Sequence, residues 1–159
     1  MMQLYHGSNI EIQCIDLNKC LPYKDFGRGF YLTDNEQQAR QMALRVSKLR
    51  GGEPVLNVYG FEEANLYNGA LEVKVFENPN EEWAAFVLMN RRRRVIHPMH
   101  NYDVVIGPVA NDTMATQFRI LEDGYINIEE LARRLQYRDF TRQLFFATPK
   151  AIKLLTKHE

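Results

Sequence analysis

Apolar and polar positions fall into short strand-like and helix-like blocks along the 159-residue chain. Leu4-Tyr5-His6-Gly7-Ser8 reads as a short strand closed by a glycine turn, and residues 9–24, with Pro22 and few periodic positions, read as a loop. Ala39, Met42, Ala43, Val46 and Leu49 then recur at helical spacing, which predicts an amphipathic helix over roughly residues 34–50. Thr33-x-x-Glu36 offers a capping box at its start, and Gly51-Gly52 end it after Lys48 and Arg50 in the last turn. Beyond Pro54, Val55–Phe61 and residues 71–76 are strand candidates, with turn residues Tyr67-Asn68-Gly69 between them. In the second, Leu71, Val73 and Val75 alternate with Glu72 and Lys74, the pattern of a half-buried strand.

Pro79 and Asn80 introduce a helix on which Trp83, Phe86, Val87 and Asn90 share one face, most simply a core face. Residues 103–110 form a nearly continuous apolar run with a glycine–proline break, the pattern of a central strand buried on both faces. Asn111, Asp112 and Thr113 suit a helix start, with Asp112 an N-cap first and a ligand contact second. Ile128, Leu131, Ala132 and Leu135 mark another amphipathic helix. Residues 143–148 read as a closing strand and residues 149–155 as a helix with Pro149 at an early position.

The length suits one domain with a real core, over residues 1–159, and no repeat, low-complexity segment or linker divides it. Apolar residues at 45% and charged residues at 25% exclude a disordered or fibrous chain. A formal net charge of zero argues against a general nucleic-acid binder, but leaves a local basic patch open. Arg91-Arg92-Arg93-Arg94 is such a candidate: a solvated helix end that complements the macrodipole, or a contact for phosphate, RNA or an acidic partner. Cys14 and Cys20 are expected as free thiols rather than a disulfide. With no signal-like start and no apolar run of membrane-spanning length, the expectation is a cytoplasmic protein with no membrane partner.

The chemistry concentrates in residues 25–33, Asp-Phe-Gly-Arg-Gly-Phe-Tyr-Leu-Thr. Two glycines around Arg28 enter a short aromatic strand that hands over to the helix. This suits either a tight structural turn with two core aromatics or the binding of a ligand carrying phosphate and a ring. A Walker loop, a GxGxxG pattern and a Gly-x-Ser-x-Gly elbow are absent. His97 and His100, separated by Pro98, fit a loop better than a metal-binding helix face, so no metal is expected.

Tyr5-His6-Gly7-Ser8, Gly29-Phe30-Tyr31-Leu32-Thr33 and Gln143, in this order, resemble the three-part signature of the histidine–tyrosine type of ADP-ribosyltransferase. With Glu82-Trp83, Phe86, Asn90-Arg91, residues 102–110 and residues 143–146, the chain is similar more closely to a bacterial branch of that superfamily, the domain of unknown function DUF3990. The resemblance implies an α+β fold: a split, curved antiparallel β core flanked by helices, with NAD as co-substrate in the cleft between the halves. It implies that His6 bonds the adenosine ribose, that the Gly7 backbone meets the nicotinamide amide, and that Tyr31 stacks on the nicotinamide ring. Ser8, Gly29 and Phe30 complete the expected NAD-binding set. Arg28, by its charge and position, is expected to neutralise part of the diphosphate.

Active transferases of this type commonly hold a glutamate at the third position, where this chain has Gln143, which is otherwise a strand-end amide. An amide accepts a hydrogen bond from a ribose hydroxyl but supplies neither charge nor base. Glu82 and Asp112 rank below it as carboxylates for the cleft. The implied activity is mono-ADP-ribosyl transfer from NAD to a protein or nucleic-acid acceptor, in a toxin or defence effector with an antitoxin protein as a further partner. An NAD glycohydrolase, and an inactive module that binds NAD or a protein partner, are the alternatives.

Overall fold

Two clusters of buried side chains, one on each face of a four-stranded sheet, account for where the elements lie. The computed structural model describes residues 1–91, 100–109, 112–135 and 140–159, with residues 112 and 113 as backbone only. The four-stranded sheet runs in the order β2 (Phe30–Leu32), β6 (Thr141–Phe146), β5 (Val104–Val109), β4 (Val73–Val75). Register sets the faces. Val104 lies opposite Phe146, and Val105 opposite Phe145. Phe30, Leu32, Val104, Ile106, Leu144 and Phe146 therefore enter the first cluster, while Val105 and Phe145 enter the second with Tyr31 against them. This two-sided burial is what a continuous apolar strand pattern requires, and β5 meets the expectation.

The strand expected over residues 71–76 contracts to β4, and its proposed inner face does not hold: Val75 is 43% exposed. Leu71 and Phe76 are an odd number of residues apart and enter different clusters, so the segment is anchored on both faces at its ends. β4 also pairs parallel to β5, so the sheet is mixed rather than wholly antiparallel. The intervening helix α2 (Glu81–Arg91) makes that crossover feasible. Asn80 accepts from the Trp83 N–H at its start, and the buried Trp83 ring donates from Nε1 to Pro108 O at 2.7 Å. Met114 and Phe118 of α3 (Asp112–Glu122), with Leu131 and Leu135 of α4 (Ile128–Leu135), join the second cluster.

A second sheet has the order β1 (Met2–Ser8), β3 (Val55–Phe61), β7 (Thr156–His158), all antiparallel. The helix expected over residues 149–155 is the short α5 (Pro149–Ile152), capped by the Thr148 hydroxyl, and the chain then pairs with β3 as β7. Helix α1 (Glu36–Arg50) packs on β1, and Gly7 makes that approach possible: a Cβ there would sit 2.0 Å from Ala39 O. The N-cap of α1 is Asn35, not Thr33, with Asn35 Oδ1 accepting from the Gln38 N–H. Thr33 is held outside the helix by its two backbone bonds with Tyr5, of 2.8 and 3.0 Å. Its hydroxyl still accepts from Asn35 N and donates to Gln38 Oε1. Gly51, at φ 87°, ends the helix as expected.

Candidate functional site

Among the described residues, the two sheets touch at one isolated bridge, Tyr5 to Thr33, and then part. Along an antiparallel strand, successive residues turn their N–H and C=O groups to alternate sides. Tyr5 spends both groups on Thr33, so Gly7 aims its own to the same side, where no backbone partner is found among the described residues. Tyr31 O, which a continued ladder would give to Gly7, is instead taken by the His6 side chain, with Nδ1 at 2.7 Å. A cleft of about 410 Å³ opens there, with His6, Gly7, Ser8, Tyr31 and Gln143 all on its wall.

His6 must donate from Nδ1, because a carbonyl oxygen only accepts. That tautomer leaves Nε2 an acceptor, with no hydrogen-bond partner among the described residues. The ring stacks on Phe30 with centroids 4.3 Å apart. Burial, assisted by the charge of Lys157, lowers the pKa of His6 against the opposing pull of the Tyr31 carbonyl, so the imidazole is neutral at neutral pH. It is suited to receive a hydroxyl proton in a hydrogen bond, not to act as an acid.

Tyr31 holds the preceding glycine turn by its own hydroxyl, which donates to Gly27 O at 3.0 Å and accepts from the Phe26 N–H at 2.9 Å. Gly27 adopts φ 98° in that turn, which a glycine accepts without strain. Burial raises the Tyr31 phenol well above its ordinary range, so it stays protonated. The ring packs on Phe145, centroids 4.8 Å apart. Gln143 stands two residues before Phe145 on β6 and so on the same face, opposite Gly107. Its amide makes no hydrogen bond among the described residues.

Arg28, Gly29 and Phe30 are not on the cleft wall. Arg28 is exposed and reaches Asn18 O at 3.4 Å. Gly29 leaves room for Phe145, whose ring a Cβ would meet at 2.2 Å, and Phe30 lies in the core beneath His6. Glu82 is paired with Lys74 and is likewise off the wall, while the Asp112 side chain lies outside the described residues.

The wall has cations that the overall charge balance concealed. Lys24, Arg50 and Arg91 line it, against one carboxylate, Asp25. Arg91 is not a freely solvated helix end: its Nε donates to the buried Asp25 at 2.9 Å. Their shared signal was present in the sequence as the charged neighbours of the aromatic and glycine positions, but nothing local placed them together. Arg92, Arg93, Arg94 and His97 lie outside the described residues. Cys14 and Cys20 are free thiols, and among the described residues no group of three His, Cys, Asp or Glu side chains is placed to hold a metal ion. No described helix is long and apolar enough to cross a membrane.

Fold and site together define an α+β protein whose two sheets part at a cleft lined by a neutral histidine, a tyrosine, an uncharged amide and several cations. The chain matches the family model described as a protein of unknown function, DUF3990, over residues 2–156, and it belongs to that family. No curated protein and no solved structure matches it.

Proposed function

We propose that this protein is a mono-ADP-ribosyltransferase that breaks the nicotinamide–ribose bond of NAD and passes ADP-ribose to a macromolecular acceptor. The observation that carries this reading is the convergence of His6, Tyr31 and Gln143, from three separate strands, on one cleft. In it the nicotinamide ring lies against Tyr31, and its carboxamide pairs with the outward N–H and C=O of Gly7. The adenosine ribose donates a hydroxyl to His6 Nε2, and Gln143 accepts from the 2′-hydroxyl of the nicotinamide ribose.

The reaction needs little covalent help from such a site. Nicotinamide leaves with the bonding electron pair, an oxocarbenium-like ribose remains, and the acceptor's nucleophile bonds to C1′ and releases its proton to solvent. Holding the ring and ribose in the geometry of departure supplies most of the gain. The phenol is protonated and the amide is not basic, and the neutral imidazole of His6 is committed to the adenosine ribose away from C1′, so the acceptor group must be nucleophilic by itself.

The test is incubation of the purified chain with labelled NAD and a cell lysate, following nicotinamide release and the fate of the label. Release should occur, with label on protein or nucleic acid. His6→Ala and Tyr31→Ala should abolish it while circular dichroism stays native. The lack of a carboxylate at Gln143 favours one second reading, NAD glycohydrolysis, which would leave the label wholly in free ADP-ribose. Intact NAD after prolonged incubation would refute both enzymatic readings.

A further inference from the structure

We infer that Arg91 and Lys24 form the anion-recognition group of the cleft, and that the group takes a diphosphate; the inference rests on the NAD reading for the identity of the ligand. Asp25 is 6% exposed, and its Oδ1 receives Arg91 Nε at 2.9 Å. The guanidinium also lies over the Phe118 ring, 5.2 Å from its centroid. These contacts hold the guanidinium in place from two sides. A guanidinium has five N–H donors, and the contact with Asp25 is made through Nε alone. Both terminal amino groups therefore remain without a partner among the described residues, on a side chain that lines the cleft and is 27% exposed.

Lys24 precedes Asp25, lies on the same wall and has no ion pair among the described residues. A planar donor group oriented beforehand, with an exposed ammonium on the same wall, matches two linked phosphates. Orientation in advance removes ordering cost from binding. The turn that carries Lys24 and Asp25 is fastened on its far side, where the Tyr31 hydroxyl bonds Phe26 N and Gly27 O. The residue whose ring is assigned to nicotinamide thereby also positions, through its hydroxyl, the carboxylate that orients Arg91. Arg28, the sequence's own candidate for this role, lies off the wall.

Calorimetry with inorganic pyrophosphate and with ADP-ribose tests this without any turnover of NAD. Both should bind the wild-type chain. Arg91→Gln should weaken each about tenfold or more, as loss of a charge-assisted bond implies. Lys24→Gln should weaken them several-fold, and Arg28→Gln should leave them unchanged. Because Arg91→Gln takes the guanidinium from a buried carboxylate, the Asp25→Asn/Arg91→Gln double variant provides a second arm free of that charge, and it should show the same loss. Unaltered binding in the folded double variant, or an equal loss in Arg28→Gln, would overturn the assignment. Nicotinamide release is read separately. Pyrophosphate bound through Arg91 with no release would sink the transferase reading alone, whereas release and ADP-ribose binding both indifferent to Arg91 would sink this assignment alone.

Discussion

The imidazole of His6 and the backbone carbonyl of Tyr31 are joined by a 2.7 Å hydrogen bond, made where the strands that carry them separate. The side chain takes over an acceptor that regular pairing would have given to Gly7, and in doing so leaves the Gly7 peptide groups facing the gap. One bond thus sets the histidine tautomer and helps keep the cleft open.

Histidine titration should be visible in stability. Burial lowers the pKa of His6, and burial likewise lowers that of His100, whose Nε2 donates to Phe26 O while its Nδ1 accepts from the Tyr102 N–H. The unfolded chain therefore takes up these protons first as pH falls, so stability is complete above the ordinary histidine range and declines through it until the folded groups protonate. Urea midpoints should be lower at about pH 5.5 than at about pH 7.5. The His6→Gln/His100→Gln variant should flatten that difference. Asp103, held below the usual carboxylate range by Thr148, the Glu72 N–H and Lys150 against the cost of burial, acts only at lower pH and does not obscure it.

Removing one oxygen separates the two tasks of Tyr31. Tyr31→Phe keeps the ring but strands the Phe26 N–H and Gly27 O that the hydroxyl now serves. A loss of about 1–3 kcal/mol is expected in urea unfolding. ADP-ribose binding should weaken as well, since the turn bearing Lys24 and Asp25 loses its fastening. A variant as stable as wild type would show that solvent replaces both bonds.

Gly7 should tolerate no side chain. A Cβ would meet Ala39 O at 2.0 Å and Ala43 N at 2.6 Å, both backbone atoms of α1. The helix would have to lift from β1, so Gly7→Ala should cost at least the ~1–3 kcal/mol typical of overpacking. A thermal scan checks this, and an unchanged melting temperature would mean that the helix moves freely.

Gln143 should act on the chemical step more than on binding. Gln143→Ala is expected to lower kcat for nicotinamide release about tenfold with a smaller change in KM, the pattern of an interaction realised mainly in the transition state. Gln143→Glu should raise kcat, because a carboxylate stabilises the developing cation where an amide does not. Steady-state kinetics with NAD decides, and an unaltered kcat in Gln143→Ala would put the third group elsewhere.

Much of the framework was legible because its residues carry their own constraints. The periodicity of Ala39, Ala43 and Val46 and the glycines at 51 and 52 delimit α1, and the unbroken run through Val104, Val105 and Ile106 reads as a strand covered on both sides, which it is. β7 was not legible: Thr156, Lys157 and His158 have no pattern of their own, and only β3 makes them a strand. The same holds for the cap of α1, where Thr33 has the right chemistry but is committed to Tyr5.

By itself, then, the sequence determined the local states: strand, turn and helix around residues 25–50 and the buried run at β5. Local periodicity and turn chemistry act over a few residues, so they are written in the chain. The tertiary structure alone decided which charges share the cleft. Arg91 faces Asp25 across 66 positions of sequence, and Arg28, beside the motif, points away from it. Charge attraction depends on distance in space, and spatial distance between remote segments exists only once the sheets have packed.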